Sequence, residues 1–148
     1  VTLASVHQEF TTPQEAEDAF YDALDDADAE KMRRVWDDSP EIACLLPMQA
    51  FVHGPDVHKV WEPLATGEVS VDIQVRHVRW LDLGDVAIHY VEELVSVPER
   101  GQQPPVYATN VFRKGSDGGW RMILHQNSPA PPPPGSMRPG TAATEGGP

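Results

Sequence analysis

An α+β fold is predicted, with N-terminal helices packed on a curved antiparallel sheet, and three observations predict it. Helix-start signals and apolar residues at three- and four-residue spacing occupy the first third of the chain. A short apolar run and a tryptophan-bearing helix follow. From Val69 onward apolar residues alternate with polar ones between glycine-containing turns, the period of half-buried strands.

The segment Thr12-Pro13-Gln14-Glu15 places Thr at an N-cap, Pro at the first helical position and Glu three residues after the cap, which starts a helix. Ala16, Ala19, Phe20, Ala23, Leu24 and Ala27 form its buried stripe, and Glu17, Asp18, Asp22, Asp25 and Asp26 are assigned to solvent. Asp28 caps a second helix that carries Ala29, Met32, Val35 and Trp36. Residues 41–46 are apolar over a length that suits a strand and not a helix. Gly54-Pro55-Asp56 opens a third helix with Val57, Val60, Trp61 and Leu64, which Pro63 kinks or ends.

Val69, Val71, Ile73 and Val75 alternate strictly, after which the phase slips to Val78 and Trp80, so a bulge is expected near Arg76 and His77. Val86, Ile88, Tyr90 and Leu94 continue after the turn at Leu83-Gly84. Residues 107–114 and 120–128 flank a turn at 115–119, completing a four-stranded meander. If Lys114 faces Trp120, Phe112 faces Met122, Asn110 faces Leu124 and Ala108 faces Gln126 on one side. The other side then pairs Val111 with Ile123 and Thr109 with His125, apolar enough that a second copy of the chain is expected to cover it, giving a homodimer.

One domain is expected over residues 12–129, followed by a disordered proline-rich tail over 130–148 whose composition cannot bury a core. The formal net charge of -12 argues against nucleic acid as a partner. No window is apolar for long enough to span a membrane, and no signal peptide is apparent, so the chain is read as cytoplasmic. A single cysteine, Cys44, excludes an internal disulfide and is read as a small buried residue.

Trp36 before an acidic turn, Gly54 to Trp61, Gly84-Asp85-Val86-Ala87, Thr109-Asn110-Val111-Phe112 and Trp120 to Pro129 together resemble the nuclear transport factor 2-like superfamily, a cone-shaped α+β fold. Within it the chain is most similar to the SnoaL-like branch and to the association domain of calcium/calmodulin-dependent kinase II. That resemblance implies a homodimer with a pocket between the helices and the concave side of the sheet.

Candidate site residues follow from alternation. Glu92 is placed with Val86, Ile88 and Tyr90 on the covered face, where a desolvated carboxylate suits a general base, and His125 is its companion acid or base. Tyr90, Asn110, Gln126 and Asn127 are candidate ligand-binding residues, polar groups at the end of an apolar stripe being suited to orient a small molecule, and the resemblance adds Trp36 and Trp61, whose helices that family places over the sheet. No metal or other cofactor is expected. His53 and His58 are five apart, off the one-face spacing of four, and a two-residue turn at Leu83-Gly84 would put His77 and His89 on opposite faces, where a longer turn would reunite them. The expected function is a dimeric small-molecule-binding protein. The alternatives are an acid/base enzyme of isomerase, dehydratase or cyclase type and an oligomerisation module.

Overall fold

The structure, a computed structural model, describes residues 9–67 and 72–128. The proline-rich tail and Val69 and Val71 of the expected strand lie outside the described residues. Thr12 caps α1 (Pro13–Asp26) by accepting from the Glu15 backbone, and the Glu15 carboxylate reaches back to the Thr11 N–H. Asp28 caps α2 (Ala29–Val35) through the Lys31 N–H at 3.0 Å. The expected third helix is two short ones, α3 (Asp56–Val60) and α4 (Glu62–Thr66), broken at Trp61 because Pro63 in the first turn of α4 cannot extend the preceding hydrogen-bond ladder. Among the described residues no helix is long and apolar enough to cross a membrane.

The strands are β1 (Ala43–Leu45), β2 (Val52–His53), β3 (Asp72–Asp82), β4 (Val86–Val97), β5 (Gly101–Gln102), β6 (Val106–Lys114) and β7 (Trp120–Asn127). They form one open sheet in the order β2-β1-β7-β6-β4-β3, with β5 pairing β4. β3, β4, β6 and β7 are the expected meander. The sheet is mixed and not purely antiparallel, because β1 returns parallel to β7, setting Cys44 beside His125.

Two bulges set which residues face the helices. In β3, His77 pairs with Val91 and Arg79 with Tyr90, leaving Val78 as the extra residue where the phase slip was expected. In β7, Phe112 pairs with Met122 but Val111 pairs with Leu124, so Ile123 is extra. This second bulge corrects the expected register: beyond it Asn110 faces His125 and Ala108 faces Asn127. Ile123 packs toward the core and not on the outer face with Val111. The hairpin between β3 and β4 pairs Asp82 with Ala87 and closes with Leu83 N–H on the Val86 carbonyl at 2.8 Å around Gly84-Asp85, one residue later than the turn expected at Leu83-Gly84, with Gly84 at φ 94, a backbone region that residues with a Cβ avoid.

The core fills the space between helices and sheet with Phe20, Met32, Val35, Trp36, Phe112 and Met122, all nearly inaccessible to solvent. Phe20 meets the Trp61 ring edge-on at 5.5 Å and the Trp36 ring at 6.5 Å, favourable geometries for aromatic pairs.

Candidate functional site

Side chains of β4 alternate between faces, and the inner row is Ala87, His89, Val91 and Glu93. Pairing continues this row onto β6 as Phe112, Asn110 and Ala108, and onto β7 as Met122, His125 and Asn127. One end of the inner face is therefore apolar and the other polar. Helix α1 covers the polar end with Glu17 and Tyr21, one turn apart on one stripe, both buried.

These groups form one hydrogen-bonded network. Asn110 Nδ2 donates to Glu17 Oε2 at 2.9 Å and to the Tyr21 hydroxyl at 3.1 Å, while its Oδ1 lies 2.6 Å from His125 Nδ1. Tyr21 donates to Glu93 Oε2 at 2.7 Å, Asn127 Nδ2 donates to Glu93 Oε1 at 3.0 Å, and Asn127 Oδ1 sits 3.0 Å from His125 Nε2. Burial pushes the Tyr21 phenol well above its ordinary value, with the Glu93 charge adding to the effect, so the hydroxyl keeps its proton and donates. Burial draws His125 below its ordinary 6.5, and the nearby Glu93 and Asn127 pull it partly back.

The network reaches the surface through Glu17. Its Oε1 lies 2.7 Å from His77 Nε2 and 3.1 Å from His89 Nδ1. The His77 contact is a hydrogen bond. The His89 contact is within ion-pair distance but off the line a hydrogen bond requires, so His89 Nδ1 is buried without a directed partner. Burial raises the Glu17 carboxyl, but the contacts from His89, His77 and Asn110 outweigh it and hold Glu17 below its ordinary 4.5. The Trp80 ring stacks on His89 at 4.2 Å with a 7° interplanar angle and meets His77 edge-on at 4.5 Å.

Beside this cluster, between the start of α1 and the β3–β4 hairpin, is a crevice of about 230 Å³. Pro13, Trp80 and Ala87 give it apolar walls, and Thr12, Gln14, Asp82 and His89 supply polar groups. It is smaller than pockets for drug-sized ligands, which start near about 300 Å³, and suits a small molecule. Glu17 orients His77, whose side chain is 35% exposed, so the ring bridges a buried carboxylate and solvent.

Asn110, His125 and Asn127 come together as neighbours in the buried network. Glu92 does not join them: it lies on the outer face, paired with Arg76 across the strands and ion-paired to its guanidinium. The expectation that Glu92 shares the helix-covered face is corrected, because the covered row of β4 is the odd-numbered one and Glu93 occupies it. Tyr90 is on the same outer face, and Gln126 is exposed opposite Thr109, since the β7 bulge moves it off the Asn110 side. Trp36 is in the core and Trp61 reaches a separate surface hollow with Met32, Arg33 and His58; both indole N–H groups are buried without an acceptor. Cys44 is buried, and that burial raises its thiol to about 12, which makes it inert as a nucleophile at neutral pH.

The sequence reading missed Glu17, Tyr21, His77, His89 and Glu93. Glu17 and Tyr21 carry a signal in their four-residue spacing beside Phe20 and Leu24. His77 and His89 were expected on opposite faces; the Val78 bulge turns His77 to the face of Val91 and so of His89.

Residues 14–132 match the family profile described as a SnoaL-like domain. Among curated proteins none matches the sequence. Among solved structures the chain is similar to a Thiobacillus denitrificans protein provisionally described as a calcium/calmodulin-dependent protein kinase type II association domain. The two share 35% identity over 82% of this chain and 98% of the other, with a TM-score of 0.74. A provisionally described dehydratase of the NTF2-like family from Streptomyces avermitilis is 24% identical over 79% of this chain and 92% of its own, with a TM-score of 0.68. A provisionally described ketosteroid isomerase from Shewanella frigidimarina is 14% identical over 81% of this chain and 96% of its own, with a TM-score of 0.63. The last two likenesses concern the fold alone.

Proposed function

This chain belongs to the SnoaL-like domain family, and from that premise we propose that it binds a small, largely apolar molecule in the crevice beside Trp80 and does so as a homodimer. The observation that carries the binding reading is the crevice itself, an apolar-walled hollow lined in part by the buried residue His89. Screening small carboxylates, ketones and aromatic lactones by thermal shift tests it. A binder is expected, and Trp80→Ala, at a half-exposed position, weakens it about tenfold through loss of the ring wall. No binder, or one indifferent to Trp80→Ala, rejects the crevice as the site.

Pairing of two copies is supported by an apolar row on the outer face, where Leu81, Ile88, Val111 and Leu124 sit in register across four strands, with Tyr90 and Tyr107 exposed nearby. The association-domain description of the Thiobacillus protein points the same way. Val111→Glu is expected to convert a dimer to monomers in sedimentation velocity; a wild-type monomer at micromolar concentration rejects the dimer.

The hydrogen bond that Glu17 accepts from His77 favours a second reading, an acid/base enzyme in which His77 moves the proton, Glu17 orients it, and Asn110 positions Glu17. Glu92 and His125, the acid and base expected from the sequence, are respectively on the outer face and in the closed network. Deuterium exchange at the carbon next to the carbonyl of a bound ketone, followed by NMR, should be accelerated by the wild type and lost in His77→Gln.

A further inference from the structure

We propose that Glu17, His77 and His89 form a binding site for a first-row divalent transition metal, with Zn2+ as the reference ion. The three atoms that would ligate it, Glu17 Oε1, His77 Nε2 and His89 Nδ1, all lie within 4.8 Å of one another. In a tetrahedral zinc site with bonds of about 2.0–2.1 Å, ligand atoms stand about 3.3 Å apart. The observed 2.7 and 3.1 Å from Glu17 Oε1 to the two rings are within a few tenths of an ångström of that spacing, and the two ring nitrogens, within 4.8 Å of each other, close on the ion as it enters. Two imidazoles and one carboxylate are a mixed nitrogen and oxygen set, which suits Zn2+, Co2+, Ni2+ or Fe2+. It fits neither Ca2+ and Mg2+, which take oxygen, nor Cu+, which takes sulfur.

Two further features favour a metal over a simple histidine–carboxylate cluster. His89 Nδ1 is a buried polar atom with no directed hydrogen-bond partner, a cost that a coordinate bond removes. The support typical of metal ligands is already in place, since Asn110 holds the other carboxylate oxygen of Glu17 and Trp80 fixes the plane of His89. Three protein ligands leave a coordination position free beside the partly exposed His77, the pattern of sites that also bind an exchangeable molecule. Metal binding here does not require the crevice to hold an organic ligand, so either reading can fail without the other.

The full chain, dialysed free of metal, is titrated with ZnCl2 by calorimetry. One ion per chain is expected, with His77→Gln and His89→Gln each weakening binding about tenfold or more. His53→Gln and His58→Gln are expected to leave it unchanged. His77 is partly exposed, so His77→Gln keeps the test decisive even if His89→Gln fails to fold. Co2+ gives a second readout: bound at His89 it should quench the stacked Trp80, and the quenching should shrink in Trp80→Phe while Zn2+ affinity persists. No uptake at about hundredfold above micromolar Zn2+, or uptake indifferent to His77→Gln, overturns the proposal.

Discussion

Glu92 and Glu93 are adjacent on β4, yet they occupy opposite faces of the sheet and different electrostatic surroundings. Glu93 is closed in beneath α1 and accepts from Tyr21 and Asn127, with every partner also buried. Glu92 meets Arg76, whose side chain is 67% exposed and shared with water. The comparison teaches that the identity of a carboxylate says little about its energetic weight. What decides it is whether removing the charge leaves other buried groups without partners.

The strongest test of that difference is Asn110→Ala. It frees Glu17 Oε2, the Tyr21 hydroxyl and His125 Nδ1 together, and a loss of about 3 kcal/mol is expected from urea unfolding midpoints. A loss below about 1 kcal/mol would show that water replaces the amide and that the inner face is less closed than its burial implies.

The same isosteric change at neighbouring positions sharpens the contrast. Glu93→Gln turns an acceptor of two buried donors into a group that can accept from one, for an expected loss of about 2 kcal/mol. Glu92→Gln keeps a polar group at a position that is only 8% exposed but faces a water-exposed Arg76, and should cost about 1 kcal/mol, less than Glu93→Gln because no buried donor loses its acceptor. Equal losses would erase the distinction between the faces.

The smallest expected effect lies in the turn that joins β6 and β7 and anchors their register. Arg121 and the Gly119 N–H hold the Asp117 carboxyl down to about 2 from its ordinary 3.8. Because the folded value is the lower one, this contribution is present above pH 3.8 and is lost as the pH falls toward 2. Asp117→Asn should lower the melting temperature slightly at pH 7 and flatten its fall between pH 3.8 and 2, the effect being small because the side chain, 28% exposed, is partly screened by water. An unchanged acid profile would show that the Arg121 contact does not act on stability.

How much was legible can be judged residue by residue. Thr12, Asp28 and Pro63 act through neighbours within four positions, and the helix starts and the break at Trp61 follow from them. The β3 bulge also left a trace, the phase slip between Val75 and Val78. The β7 bulge left a weaker one, three successive apolar residues at Met122, Ile123 and Leu124, and the ideal-hairpin register passed over it. Asn110, His125 and Asn127 were recognised as polar groups of the sheet, but Gln126, Glu92 and Tyr90 were put on the covered face and His125 on the outer one, each the wrong way round.

Strand periodicity is two, so one inserted residue exchanges the faces of everything beyond it. The pattern of the sequence by itself determined the class of fold, the order of helices and strands and the separation of an apolar stripe from polar positions, because each depends on local propensity and period. Only the tertiary structure decided that His77 joins His89, that Asn110 faces His125, and that Glu17 leaves the solvated face of α1. A carboxylate is stable in that place only when partners 60 to 93 residues away in the chain arrive to meet it, as His77 and Asn110 do.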